Sequence, residues 1–319
     1  MSEIQQSIFD YIRQPFKIDK PIRLIELFAG YGSQAMALER LGADFEHYRA
    51  IEFDKYAMAS YNAVHGTSFE PTDICDVTGK DLNIIHTYIH TYMVTYSFPC
   101  QSLSLAGKQA GMAKGSGTRS GLLWEVERLL KECKELADNN TEYGMPQVLQ
   151  MENVTEVKGY KNKAHFQEWL DFLDSLGYTT YVQDMNAADF GTAQHRERTI
   201  AISLLGDYNF KFPEPIELRR TMADYLEGEV DEKYYIKSQK AYDLIVKLVD
   251  EGTIPANNAL NERTNERTNE RTNERTNEHR FCVDGTINNP GIREVANCIK
   301  ARYDAGISNQ KSDGTVVIE

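Results

Sequence analysis

Between residues 21 and 206 the pattern of apolar and polar positions switches repeatedly between two periods. Short apolar runs at Arg23 to Phe28, Tyr48 to Phe53, Tyr92 to Ser97, Gln147 to Met151 and Thr199 to Leu204 read as buried strands. The segments between them carry helical spacing. Ser33 to Leu41 and Asp54 to His65 are helical in character, and Leu122, Val126, Leu129, Leu130, Cys133 and Leu136 recur at three- and four-residue steps on one face. Phe166, Trp169, Leu170, Leu173 and Leu176 mark a further amphipathic helix, closed by Gly177 beyond its last turn. Regular strand–helix alternation predicts an α/β fold with a doubly wound, mostly parallel sheet, which binds ligands beyond the carboxyl ends of its strands.

The pattern divides the chain at two places. Residues 1–20 form a polar arm with one short amphipathic stretch, Ile8 to Ile12. Residues 21–212 carry the alternation and form the main domain. After Phe212, Pro213 and Pro215 punctuate the chain, and residues 213–319 form a smaller region with helix-like stretches near Thr221 to Glu227 and Ser238 to Glu251. Within it, residues 261–278 repeat Asn-Glu-Arg-Thr, with four full copies from Asn261 to Thr276 and a fifth begun at Asn277. As a helix this repeat would stack Glu262, Glu266, Glu270 and Glu274 at i, i+4, an unfavourable array with no apolar face, so it reads as a solvated insert.

Composition adds constraints. The chain has 319 residues and is 41% hydrophobic and 26% charged, as in ordinary soluble globular proteins. No apolar run approaches the roughly 18 residues of a membrane span, and Met1 to Lys20 lacks the apolar core of a secretion signal. Five cysteines, at 75, 100, 133, 282 and 298, form no paired motif, so free thiols in a reducing cytoplasm are expected. The net charge of −13 opposes nucleic-acid binding at the level of the whole chain, but does not report a local basic groove.

Candidate chemistry collects at the predicted ligand edge. Phe28-Ala29-Gly30-Tyr31-Gly32 follows the first strand, and glycines there let the backbone turn tightly against a ligand. Glu52 ends the second strand twenty residues after Gly32, where an acid accepts ribose hydroxyls. Together they point to an adenosine-type cofactor. The third apolar run leads into Pro99-Cys100-Gln101, a thiol in a loop suited to nucleophilic attack. Glu152-Asn153-Val154 ends the next strand, and Gln194-His195-Arg196-Glu197-Arg198 precedes the last, its arginines suited to polar substrate atoms or phosphate. Each piece alone has a bland alternative: a tight turn, an inert thiol, a capping acid, surface ion pairs.

The ordered set resembles the cytosine-C5 DNA methyltransferases of bacterial and phage type. The matching pieces are Phe28-Ala29-Gly30-x-Gly32, Glu52, Asp73-Ile74, Pro99-Cys100-Gln101, Arg119 through Leu122, Glu152-Asn153-Val154, Asp189 through Gln194 and Gln194-x-Arg196-x-Arg198. The resemblance spans about residues 21 to 206, with a weaker match from Ala296-Asn297 to Asp304-Ala305-Gly306 in a target-recognition region. It implies S-adenosylmethionine as cofactor and a flipped-out cytosine in double-stranded DNA as substrate. Cys100 is then the nucleophile that adds to C6. Glu152 holds the N3 edge, Arg198 steadies O2, and Arg196 orients the Cys100 loop or a phosphate; Gln101 and Asn153 complete the catalytic set. Phe28, Ala29, Gly30, Gly32, Glu52, Asp73, Ile74, Pro99 and Leu122 form the cofactor pocket, with no metal. The loop from Ser102 to Gly121, with glycines at 107, 111, 115, 117 and 121, is expected to close over the base.

The family's closing helix and Gly-Asn-Ser-Val-like motif have no counterpart in the sequence, so a complementing C-terminal fragment is one expected partner and a cognate restriction endonuclease another. Three other readings compete: a tRNA cytosine methyltransferase, a non-catalytic DNA-binding remnant, and a nicotinamide dehydrogenase. The last has no use for Pro-Cys-Gln paired with Glu-Asn-Val.

Overall fold

The computed structural model describes residues 13–86, 88–103, 111–219 and 222–225, together with short backbone segments and single positions beyond them. The amphipathic stretch Ile8 to Ile12, the repeat at 261–278 and the Asp304-Ala305-Gly306 segment lie outside the described residues. The chain divides into two compact units, residues 1–184 with 198–213, and residues 185–197 with 214–319. The second unit thus takes Gln194 and Arg196, within the 21–212 span expected as the main domain, while Arg198 stays in the first.

The first unit is built on a six-stranded sheet. Its strands are β1 (Ile22–Leu27), β2 (Phe45–Ile51), β3 (Thr91–Tyr96), β4 (Val148–Asn153), β5 (Tyr178–Asn186) and β6 (Glu197–Leu205), in the order β2-β1-β3-β4-β6-β5. The contiguous strands β2, β1, β3 and β4 run parallel, while β6 runs antiparallel to β4. Helices α1 (Ser33–Leu41), α2 (Lys55–His65), α3 (Gly79–Leu82), α4 (Leu123–Asn139) and α5 (Lys163–Ser175) connect the strands. The sheet is therefore mostly parallel, as the alternation implies.

Central strands are apolar on both faces because helices cover both faces. In β1, Ile25 and Leu27 join the larger core, while Ile22 and Leu24 join the core on the other side. In β3 the same alternation sends Tyr92, Val94 and Tyr96 one way and Met93 the other. The larger core includes Val126, Leu129, Leu130 and Cys133 of α4 and Phe166, Trp169 and Leu173 of α5; Ala35 of α1 sits in the second. The helix ends follow local rules. Asp54 caps α2 by accepting from the Tyr56 and Ala57 amides, and Gly177, at φ 87°, takes the left-handed position past α5.

The structure departs from the pattern reading in strand boundaries and at one edge: the second strand is Phe45–Ile51 rather than Tyr48 to Phe53, so Glu52 follows it instead of ending it. Strand β5 was not legible, because Gln183 and Asp184 are exposed and its burial does not alternate. Strand β4 extends past Met151 through Asn153, so Glu152 and Asn153 are its last two residues, in keeping with the reading that they end it.

Helix α4 also anchors the loop that follows Cys100. The Trp124 indole donates to the Met112 carbonyl at 2.7 Å, and Lys114 reaches the Glu127 carboxylate at 2.7 Å. Lys131 pairs with the same carboxylate. Burial opposes ionisation of Glu127, but the two lysines outweigh it and hold its carboxyl below the usual range. An acid held low in the folded state contributes stability above its unfolded pKa, and that contribution is lost as pH falls through the folded value. Acid unfolding of the wild type, followed by circular dichroism, should therefore include a loss below about pH 4 that Glu127→Gln lacks.

Candidate active site

The turn after β1 holds three residues at positive φ, Phe28, Gly30 and Gly32. Phe28 adopts φ 60°, a left-handed conformation that a bulky residue holds only when its surroundings impose it. Gly30 (φ 57°) has open space where a Cβ would project, leaving the backbone accessible to a ligand. At Gly32 (φ 82°) a Cβ would lie 2.2 Å from His65 Nε2 and 2.8 Å from the Tyr61 ring. Gly32→Ala should therefore cost about 1–3 kcal/mol in backbone strain and a comparable amount in overpacking. Thermal unfolding would register the loss, and no change in melting temperature would contradict it.

Glu52 follows β2 and binds this turn. Its carboxylate accepts from the Gly30 amide at 2.9 Å and from the Asp54 amide at 2.8 Å, which fixes its orientation beside the glycines. Asp73 caps a short turn by accepting from the Cys75 amide at 2.9 Å. Ile74 is buried in the larger core, and Phe28 and Leu122 pack against that core, half-buried. Ala29 is buried and Pro99 half-buried. An open glycine cradle, an oriented carboxylate and apolar side chains suit a nucleoside whose ribose offers hydroxyls and whose base offers a flat face.

The second constellation begins at the end of β3. Tyr96 pairs with Met151 in the parallel register, so the loop carrying Cys100 and the end of β4 carrying Glu152 leave the same sheet edge. Buried Asn153 ties them together, its amide donating to the Phe98 carbonyl at 2.9 Å. Ser120, also buried, clamps the loop on both sides of Cys100: its hydroxyl donates to the Pro99 carbonyl at 2.6 Å and accepts from the Ser102 amide at 3.2 Å. Arg119 donates to the exposed Gln101 side chain at 2.7 Å. Sequence reasoning gave Ser120 no role; its only signal was its place in the Arg119-to-Leu122 segment.

Glu152 and Arg198 meet across β4 and β6, with Arg198 Nε 2.9 Å from Glu152 Oε1, and both side chains are only partly exposed. The antiparallel register sets Glu152 opposite Ile200, which brings the start of β6 to this edge. Three free cysteines are described. Burial pushes the Cys133 thiol up to about 12, and desolvation with help from Asp73 pushes Cys75 up to about 11, so neither supplies a thiolate at neutral pH. Cys100 is half-buried at the sheet edge. In the second unit, the Arg196 amide donates to Asn186 Oδ1 at 3.0 Å and its carbonyl accepts from Ala187. Gln194 and His195 pair in parallel with Ala296 and Asn297.

A profile described as C-5 cytosine-specific DNA methylase matches residues 22–313. The chain belongs to this family. Among curated members of the C-5 cytosine-specific DNA methylases, the type II methyltransferase M2.ScrFI of Lactococcus lactis subsp. cremoris is 34% identical over 70% of this chain and 72% of its own length. The orphan methyltransferase M.SssI of Spiroplasma monobiae is 30% identical over 70% of each. M.HhaI of Haemophilus parahaemolyticus is 31% identical over 70% of this chain and 62% of its own length. Among solved structures, the S. pombe Dnmt2 methyltransferase superposes with a TM-score of 0.52 at 20% identity, covering 69% of this chain and 64% of that one, a likeness of fold. The cofactor of this methylase family is S-adenosylmethionine, and the turn at Phe28 to Gly32 with Glu52 fits its adenosine and amino-acid parts. No helix among the described residues is long and apolar enough to cross a membrane.

Proposed function

We propose that this chain transfers a methyl group to C5 of cytosine in double-stranded DNA. The observation that carries the proposal is the joining of the Cys100 loop to the strand end bearing Glu152, through the Asn153–Phe98 hydrogen bond, with Arg198 held on the Glu152 carboxylate. Family membership supports it.

Cytosine C5 is a weak nucleophile and lies inside the duplex. The base therefore has to leave the stack, at a cost of a few kcal/mol. The Cys100 thiolate adds to C6, and the electrons of the 5,6 double bond become available at C5. Glu152 binds the N3 edge and shares a proton as negative charge develops on the ring. Arg198, fixed by Glu152, stabilises O2. S-adenosylmethionine, when bound, supplies an electrophilic methyl group. A base then removes the C5 proton, the double bond re-forms and Cys100 departs as thiolate. In the cofactor pocket, Glu52 holds the ribose hydroxyls, Asp73 accepts from the adenine amino group, Phe28, Ile74, Pro99 and Leu122 line the apolar walls, and Ala29, Gly30 and Gly32 admit the methionine part. Gln101 and Asn153 position the nucleophile loop, and Arg196 serves a phosphate.

The proposal places the chain in the cytoplasm, beside the DNA it modifies. A cognate restriction endonuclease is a natural partner, since M2.ScrFI and M.HhaI are named as type II methyltransferases. A separate complementing fragment finds no support among the relatives. Tritiated methyl transfer should be measured on duplex DNA and on tRNA. Incorporation into duplex DNA at C5, mapped by bisulfite conversion, is the expected result. Incorporation only into tRNA, or into neither, would refute the proposal.

A further inference from the structure

Three side chains from consecutive elements converge beneath the glycine turn, outside the machinery described above. They are Glu39 on α1, His47 on β2 and His65 at the end of α2. One ligand atom from each lies within 4.8 Å of the others: Glu39 Oε1 is 3.0 Å from His65 Nδ1 and 3.8 Å from His47 Nε2. Ligand atoms around a tetrahedral zinc ion, with bonds of about 2.0–2.2 Å, are separated by about 3.3 Å. The observed spacing brackets that value.

The outer hydrogen bonds decide what these atoms offer. The Tyr61 hydroxyl donates to Glu26 Oε2 at 2.6 Å, so its oxygen is an acceptor for His47 Nδ1 at 2.8 Å. That places the His47 proton on Nδ1 and the lone pair on Nε2, facing Glu39. His65 Nε2 lies 3.1 Å from the Tyr31 carbonyl, which can only accept, so Nε2 carries a proton. His65 Nδ1 lies 3.0 Å from Glu39 Oε1, a separation bridged either by a second proton on the ring or by a metal ion between ring and carboxylate. The His47 Nε2 lone pair faces the same carboxylate oxygen at 3.8 Å. Metal-bound histidines characteristically donate their other ring nitrogen to a carbonyl or an anionic partner. Both rings do so here, His65 directly and His47 through the tyrosine relay to Glu26. The His65 side chain is fully buried, that of His47 is partly exposed and that of Glu39 half-exposed, which leaves one face of the cluster to water.

We propose that Glu39, His47 and His65 form a site for a divalent metal ion of the zinc type, with water as the fourth ligand. Imidazole and carboxylate donors in this number suit zinc over magnesium or calcium, which take all-oxygen shells. The site joins α1, β2 and α2, and its second shell reaches the Tyr31 carbonyl and packs under Gly32. Bound metal thus braces the underside of the cofactor turn.

The test uses the full chain, stripped with a chelator and titrated with Zn2+ alone by calorimetry, and separately with Co2+ followed by visible absorption. One Zn2+ per chain and the intense Co2+ bands of a four-coordinate site are expected. Glu39→Gln and His47→Gln should each weaken Zn2+ binding by more than the about 10–100-fold that follows loss of an outer-shell partner. Glu39 is exposed enough that its variant should retain the wild-type circular dichroism spectrum, which separates ligand loss from misfolding. Absence of Zn2+ uptake by the wild type, meaning that a proton alone fills the gap, would overturn the site. Equal affinity in wild type and both variants would do so as well.

Discussion

Cys100→Ser will abolish methyl transfer to duplex DNA, with turnover falling by about 10^4-fold or more, the scale on which enzymes lose rate when their nucleophile is removed. The substitution exchanges sulfur for oxygen at a half-buried position and leaves in place the backbone bonds that hold the loop, from Ser120 and Asn153 to residues 98, 99 and 102. Fold and cofactor affinity should therefore persist, and a spectroscopic melt and cofactor titration would verify this. The chemical difference is large, because a serine hydroxyl has essentially no anionic fraction at neutral pH whereas a thiol has an appreciable one. Covalent trapping gives a sharper readout than rate. DNA carrying 5-fluorocytosine keeps fluorine where a proton must leave, so the wild-type chain should remain attached through denaturing electrophoresis and the serine variant should not. Attachment by the serine variant would move the nucleophile elsewhere. Cys75 and Cys133 are poor substitutes, with thiols pushed up to about 11 and about 12.

Central strands and long helices were legible because burial on both faces leaves largely apolar runs in β1 and β3, broken only by Arg23, Glu26, Thr91 and Thr95, and burial on one face leaves a helical stripe in α4. Edge strand β5 was not, since its partial exposure erases the period. The site divides in the same way. Cys100, Glu52 and Glu152 stand out as candidates in the sequence because chemistry restricts the residue types that can serve and because each falls at or just beyond a strand end. Ser120 was invisible: a buried serine that clamps two backbone groups across eighteen to twenty-one residues leaves no local pattern. The Glu39–His47–His65 cluster was likewise hidden, because its members are spaced by the topology of α1, β2 and α2 rather than by any short motif. The placement of Arg196 with residues 214–319 also depends on long-range contacts, and adjacency to Arg198 in sequence gave no hint of it.

Glu152→Gln tests the other half of the chemistry. The amide has the same shape and its oxygen can still accept from Arg198 Nε, now at 2.9 Å from the carboxylate, so the β4–β6 contact survives in weakened form. It can also donate to the N3 edge of a cytosine. What it cannot do is pass a proton to the ring as Cys100 adds. Loss of a positioned proton donor costs about 10^2–10^4-fold in rate, and the expected result is a fall of that size in kcat with KM for DNA within a few-fold of wild type. Glu152→Ala should do worse on a second axis. It removes a charge-assisted hydrogen bond worth about 1.5–3 kcal/mol from a largely buried pair, and melting temperature should fall along with activity. A double-mutant cycle with Arg198→Ala separates the two roles. If Glu152 acts on the base and Arg198 acts partly by holding Glu152, the two losses will fall short of additive, by an interaction energy of about 0.5–3 kcal/mol. Strict additivity would mean that the ion pair is structural and that the carboxylate reaches the base without it, whereas full activity of Glu152→Gln would take the proton transfer away from this residue altogether.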